Sequence, residues 1–276
     1  MPRARRSASP RALAPTGIDR IDHWAPGQPC AIEEYVAAVS EYVRRSRDLD
    51  AGPKKAGQIR LSNMLGQALA DALHQRLPQF RHGVVGERKI SGGLRSVSAD
   101  VSEIHPTDGL RLAIELKPVN LAVGRAIWNR FGDIRTFAVN VHLKFPFCVV
   151  GGVLVIPTYE ETGTSEAQEA DAQEQAVAEA TELESARSGT QVAASDSATR
   201  RRGTRPLINR AIARLIRAGG RRTEADAPHL LEGIAVLVYD PDTSSIDTEL
   251  PPPASGLRWN EFIDSLVASY EARFED

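Results

Sequence analysis

From Phe147 to Ile156 the chain reads Phe-Cys-Val-Val-Gly-Gly-Val-Leu-Val-Ile, the longest apolar run, bounded by Pro146 and Pro157. It is far shorter than the roughly 18 to 20 residues that span a bilayer, and too uniformly apolar for a strand with one wet face. The run therefore predicts a β-strand covered on both sides, which requires helices above and below a sheet.

The spacing on either side of that strand supplies those helices. Ile32 to Arg45 places Ile32, Tyr35, Val36, Val39, Tyr42 and Val43 on one helical face, and Leu61 to Leu77 carries the stripe Leu61, Leu65, Ala68, Leu69, Ala72 and Leu73, with Pro78 as its stop. The period then drops to two in Val84 to Ile90, Leu94 to Ile104 and Leu110 to Lys117. His105-Pro106-Thr107-Asp108-Gly109 joins the last two with turn chemistry, which makes them a hairpin. Helical spacing returns from Leu121 to Val141, through Val123, Ile127, Phe131, Ile134 and Ala138, and leads into the apolar strand. A meander, a crossover helix and a central strand give an α/β fold: a mixed β-sheet flanked by helices.

Tyr159 to Thr204 breaks this pattern, being Ala, Glu, Gln, Ser and Thr with almost no large apolar residue, too little to bury on its own. Beyond it come a basic helix (Leu207 to Ala218), an apolar strand (Gly233 to Tyr239), a Pro-rich turn (Pro251 to Pro253) and an amphipathic helix (Leu257 to Phe274). The expected organisation is a disordered basic tail over residues 1–30, the first part of one domain over 31–158, a disordered acidic insertion over 159–205, and the rest of the same domain over 206–276.

The formal net charge of -2 conceals segregation. Glu160 to Ala186 holds nine acidic residues and no basic one, and Arg200 to Arg222 holds nine arginines and no acid. Without the acidic block the remainder stands near +7, a balance suited to a polyanion, with nucleic acid as the first candidate. Two cysteines without Cys or His neighbours at ligand spacing argue against a disulfide scaffold or a structural zinc site. The six histidines form no HxH or HExxH pattern. Walker and GxSxG signatures are absent, so ATPase, kinase and serine-hydrolase chemistry have no support. The Arg- and Pro-rich start lacks an apolar h-region, and the expected location is the cytoplasm with no membrane partner.

Chemistry concentrates on the hairpin. In Leu110 to Lys117 the leucines and Ile114 alternate, so Glu115 and Lys117 share the opposite face. Val97, Ala99 and Val101 are expected on one face of the preceding strand and Asp100 on the other, where register permitting it meets Glu115 and Lys117. Two carboxylates on adjacent strands are hard oxygen ligands suited to Mg²⁺, and a lysine beside them can position water or offset developing negative charge. Glu87-Arg88-Lys89 repeats the Glu-x-Lys spacing, but its nearest upstream acid, Asp71, falls in a helix rather than on a neighbouring strand.

Asp100, fourteen intervening residues and then Glu115-Leu116-Lys117 resemble the motif of the PD-(D/E)XK nuclease superfamily, over roughly residues 58–156 and more loosely 206–274. The resemblance implies a restriction-endonuclease-like fold and hydrolysis of phosphodiester bonds dependent on Mg²⁺ (or Mn²⁺). It makes Asp100 and Glu115 metal ligands, the Leu116 carbonyl a third, and Lys117 the group beside the attacking water. Ala99 stands where the motif has Pro, and the glutamine-and-tyrosine signature of exonuclease-like members does not follow Lys117. The implied activity is that of a DNA endonuclease in a type II-like restriction or other defence setting. Its expected partners are double-stranded DNA, a second copy of the chain, and a cognate methyltransferase or defence-system protein.

Further candidates surround this set. Glu87 is a reserve acid. Placed on a helical wheel, Arg210, Arg214, Arg217 and Arg221 fall within an arc of about 60°, backed by Leu207, Ile208, Ala211, Ile212, Leu215 and Ile216, and are expected to contact DNA phosphates. His142 and Lys144 are expected near the same sheet edge as DNA contacts. Two other readings compete: a non-catalytic DNA-binding or partner-docking module on the same fold, and cleavage of RNA or junctions by the same chemistry.

Overall fold

A computed structural model describes residues 19–46, 49–78, 80, 83–162 and 200–274. In chain order its elements are α1 (Asp19–Asp22), α2 (Ile32–Arg45), α3 (Ala51–Arg76), β1 (Gly83–Ser91), β2 (Ser96–His105), β3 (Gly109–Pro118), α4 (Val123–His142), β4 (Val149–Pro157), β5 (Tyr159–Thr162), β6 (Arg200–Gly203), α5 (Arg205–Leu215), a 3-10 turn (Ile216–Ala218), β7 (Gly233–Asp240), β8 (Ser245–Ile246) and α6 (Trp259–Phe274).

Six strands form one mixed sheet in the order β1-β2-β3-β4-β7-β8. The meander β1-β2-β3 is antiparallel, β4 joins β3 in parallel across the α4 crossover, and β7 joins β4 in parallel. Every residue of β4 is buried, which is the property its apolar run requires. One face of the sheet carries α2, α3 and α6, with Tyr35, Leu65, Leu69 and Phe262 packed against Leu112, Ile114 and Leu116. The other carries α4 and α5, with Ile127, Ile134, Phe137 and Ile208 against Ala113, Val150 and Leu154. Each fully buried large apolar side chain contributes about 1.5 to 3 kcal/mol, so the two faces together dominate the driving force for folding. Among the described residues no helix is long and apolar enough to cross a membrane.

Three boundaries differ from those the sequence suggests. Helix α3 begins at Ala51 rather than Leu61, because its first two turns are mostly solvent-exposed and carry no apolar stripe for periodicity to detect. Part of the expected disordered tail is packed: Ile21 and Cys30 are 1% and 3% exposed, and the Cys30 N–H donates to Asp71 at 2.8 Å. Residues 1–18 of that tail lie outside the described residues. The expected insertion of residues 159–205 has paired margins, with Tyr159 opposite Gly203 and Thr162 opposite Arg200, so β5 and β6 form a two-stranded antiparallel ladder. Residues 163–199 lie outside the described residues. The buried Glu160 carboxylate accepts a hydrogen bond from the Val123 N–H, which opens α4, so this ladder is tied to the crossover helix.

Candidate active site

The site begins with an irregularity in β1. Val85 pairs with Val101 and Arg88 pairs with Ala99, leaving Gly86 and Glu87 opposite the single residue Asp100. This is a β-bulge, and Gly86 serves it with φ +113°, a conformation that a side chain rarely tolerates. The bulge also corrects the expected facing of β2. Val97 and Ala99 pack in the cluster under α4, but Val101 packs under α3, so the strand exchanges faces at Asp100 instead of alternating through it.

Between β2 and β3 the pairing runs as far as Val101 opposite Ile114, and the same register continued by one step sets Asp100 opposite Glu115. There the Asp100 side chain takes the place of the ladder: Oδ2 accepts a hydrogen bond from the Leu116 N–H at 2.6 Å. Glu115, 8% exposed, forms an ion pair with Lys117 on the same face of β3. The expected meeting of Asp100, Glu115 and Lys117 is present. Glu87, on the bulge, joins them as an exposed acid.

These groups lie at a cleft of about 390 Å³ at the C-terminal end of β3. Gln58 and Ser62 of α3 form one wall, Ala126 and Arg130 of α4 another, and Glu87, Asp100, Lys117 and the Pro118–Leu121 segment the rest. Glu115 is not among the lining residues; it lies beneath, behind its partner Lys117. Asn120, 8% exposed, presents a buried Oδ1 with no hydrogen-bond partner. Past it, Ala122 takes the left-handed conformation (φ 53°), a strained residue at the turn from the cleft wall into α4. Gln58, Ser62, Asn120 and Arg130 were not anticipated from sequence. Asn120 had the nearest thing to a signal: a polar side chain directly after the strand that carries Glu115 and Lys117.

Burial sets the electrostatics. It pushes the Glu115 carboxyl up to about 7, opposed by the charge and hydrogen bond of Lys117 and reinforced by Asp100 and Asp133. Burial also raises Asp100, against the Leu116 N–H and Lys117, and Glu87 adds in the upward direction. The site is thus short of positive charge. Among the described residues no group of three or more His, Cys, Asp or Glu side chains is arranged to hold a metal ion, so a cation here would rest on two carboxylates, backbone and water.

Two expected DNA contacts are internal. Arg221 is 2% exposed, because α5 ends at Leu215, the 3-10 turn ends at Ala218, and Gly220 (φ +92°) turns the chain away before the helical arc reaches Arg221. Its guanidinium donates to the carbonyls of Asp226, Ala227, Glu224 and Pro146. His142 is 3% exposed, with Nδ1 on the Pro228 carbonyl at 3.0 Å and Nε2 on Glu232 Oε2 at 3.2 Å. Glu232 is the hub of this second cluster. It also accepts from the Val150 N–H at 2.8 Å and pairs with Arg273 at 2.7 Å and Arg221 at 3.3 Å, both ion contacts to Oε1 without hydrogen-bond alignment. Burial alone would raise the Glu232 carboxyl, but His142, Arg273 and the Val150 N–H bring it below its ordinary value.

The other expected contacts are at the surface. Lys144 is exposed, donates to Ser91 Oγ at 2.9 Å and lies over the Phe145 ring. Arg214 and Arg217 are exposed and Arg210 is partly so. The chain matches no known family profile, no curated protein and no solved structure.

Proposed function

We propose that the protein is a metal-dependent endonuclease that hydrolyses DNA phosphodiester bonds, of the PD-(D/E)XK kind and restriction-endonuclease-like in fold. The observation that carries this reading is the convergence of Asp100, Glu115 and Lys117 beside an open cleft, with both carboxyls held above their ordinary values.

The donor set fits a small divalent cation. Mg²⁺ takes one or two carboxylates and keeps several waters, which two acids and a backbone carbonyl can accommodate. A cation would offset the cost of the two partly dehydrated carboxylates, and the orphaned Asn120 Oδ1 offers a further oxygen to its water shell. Asp100 and Glu115, with the Leu116 carbonyl, would hold Mg²⁺ or Mn²⁺. When bound, the ion would polarise the scissile phosphate and ease deprotonation of water.

The remaining work falls to the side chains. Asp100, fixed through the Leu116 N–H, keeps one carboxylate oxygen in place while the cleft fills. Lys117 holds the water that attacks phosphorus and offsets the charge gathering on the phosphoryl oxygens. The water oxygen forms the new P–O bond, the bond to the leaving sugar oxygen breaks, and a solvent proton passes to that oxygen. Glu87, exposed at the rim, can accept the proton released by the attacking water. Arg130, exposed at the opposite wall, would contact the entering backbone. The setting we propose is a restriction-type or other defence system. A second copy of the chain would supply the cut in the other strand.

One observation favours a second reading, a DNA-binding module without chemistry: Glu115 is closed on Lys117 and lies under the cleft wall. Incubating plasmid and genomic DNA with wild-type and Glu115→Ala protein in Mg²⁺, Mn²⁺ or EDTA separates the two. Metal-dependent cleavage that falls at least about a thousandfold in the variant is the expected result. Salt-sensitive binding without any cleavage would leave the module reading standing.

A further inference from the structure

On the α4 and α5 side of the protein, away from the carboxylates, a second cavity of about 430 Å³ is lined by Phe131, Arg135, Arg214, Arg217, Ala218 and His229. Three guanidinium groups and an imidazole meet around one hollow. Among the described residues none of these three arginines pairs with a carboxylate. Two are ordered by aromatic rings instead: Arg214 lies over Trp128 at 4.2 Å and Arg135 over Phe131 at 5.8 Å. Like charges converging without counter-charge repel one another, and an anion seated among them removes that cost. Guanidinium groups already held against rings lose less freedom on binding than free side chains would. Arginine's planar fork suits phosphate oxygens, and the hollow is in the range of small-ligand sites.

Helix α4 connects this hollow to the cleft. Ala126 and Arg130 line the cleft, and Phe131 and Arg135 line the hollow. At about 1.5 Å of rise per residue, Arg135 stands about 7 Å along the axis from Arg130 and about 13 Å from Ala126. Successive phosphates of one DNA strand rise by about 3.4 Å along the duplex axis and stand farther apart than that in space, so these separations correspond to a few nucleotides at most.

We propose that this hollow is a second phosphate site, which grips the DNA backbone within a few nucleotides of the bond in the cleft and so fixes the direction in which the strand crosses α4. The proposal rests on the reading that the cleft engages DNA. It reduces the expected four-arginine stripe to Arg214 and Arg217, adds Arg135 and His229 from outside it, and omits Arg210 and Arg221.

The test is anisotropy of a labelled duplex oligonucleotide in EDTA, titrated at several salt concentrations, so that neither metal nor cleavage enters. Arg135→Ala combined with Arg217→Ala should weaken binding about tenfold and lower the log-log salt slope by about 2, with an unchanged melting temperature. Arg76→Ala combined with Arg205→Ala removes the same charge from two exposed ion pairs elsewhere and should change affinity less than about twofold. Unchanged affinity and slope in the first pair, an equal loss in the control pair, or no DNA binding by the wild type would overturn the proposal. A wild type that binds, loses affinity in the first pair alone and cleaves nothing in Mg²⁺ or Mn²⁺ would sink the nuclease reading and leave the pocket. Cleavage lost on Glu115→Ala with the first pair binding normally would do the reverse.

Discussion

Two groups of buried charge lie against different strands of the parallel part of the sheet, and their surroundings treat them in opposite ways. Near the start of β4 and β7, Glu232 meets His142, Arg221, Arg273 and the Val150 N–H, and its carboxyl is brought below the ordinary value. At the end of β3, Glu115 and Asp100 share Lys117, with Glu87 and Asp133 adding negative charge nearby, and both carboxyls are pushed up. The first carboxylate is enclosed by two arginines, an imidazole and a backbone N–H and is closed to solvent; the second pair shares one lysine and borders a cleft. A carboxylate enclosed in this way holds chain segments together. An under-paired one beside open space is what the proposed cation site requires, and the contrast separates a structural cluster from a candidate site more sharply than burial does.

The contrast can be broken from either end. Glu232→Ala leaves Arg221 and Arg273 buried without their carboxylate and should cost about 3 to 5 kcal/mol in urea denaturation, with cleavage per folded molecule preserved. Glu115→Gln should act in the other direction. Because Glu115 titrates near 7 in the folded protein against an ordinary 4.5, its ionisation destabilises the metal-free fold as pH rises through that window. Its full cost by pH 8 is on the order of 3 kcal/mol, and the variant's stability curve should be flatter between pH 5 and about 8. Glu232, with its depressed value, contributes stability that is present at neutral pH and lost as acid takes the pH down through that value. Saturating Mn²⁺ should stabilise the wild type by about 2 to 3 kcal/mol at a hundredfold excess over Kd and leave Glu115→Gln unmoved, a thermal-shift result independent of cleavage. Lys144→Ala, which removes one exposed hydrogen bond, should change stability by less than about 0.5 kcal/mol. If Glu232→Ala proves neutral, or Glu115→Gln destabilises the metal-free protein, the distinction between the two clusters fails.

Parts of this were legible in the sequence because they are local. The alternation of Leu110 to Leu116 fixes Glu115 and Lys117 on one face, Asp108-Gly109 closes the hairpin, and an uninterrupted apolar run marks the central strand. Asp100 was found for a reason that holds only in part. Strict alternation placed it opposite Val97, Ala99 and Val101, whereas the strand changes faces at Asp100 itself, under a bulge in its neighbour that its own residues do not encode. Arg221 shows the limit of the helical wheel, which presumes a continuous helix; Gly219-Gly220 already carried the warning in the sequence. His142 was misassigned because its partner Glu232 sits in an irregular segment with no periodicity to announce it. Asn120 and Arg130 reach the cleft only through the packing of α4, which no local pattern specifies.

The ladder of β5 and β6 ends on Thr162 opposite Arg200, so the two ends of the intervening sequence are held side by side in a single rung. Architecturally that is a socket, whose two attachment points are fixed by their own ladder and not by the main sheet. The socket is not isolated from the chemistry, since Glu160, two residues before its mouth, is bonded to the residue that starts α4. Whatever is spliced there is therefore one carboxylate away from the helix that walls the cleft.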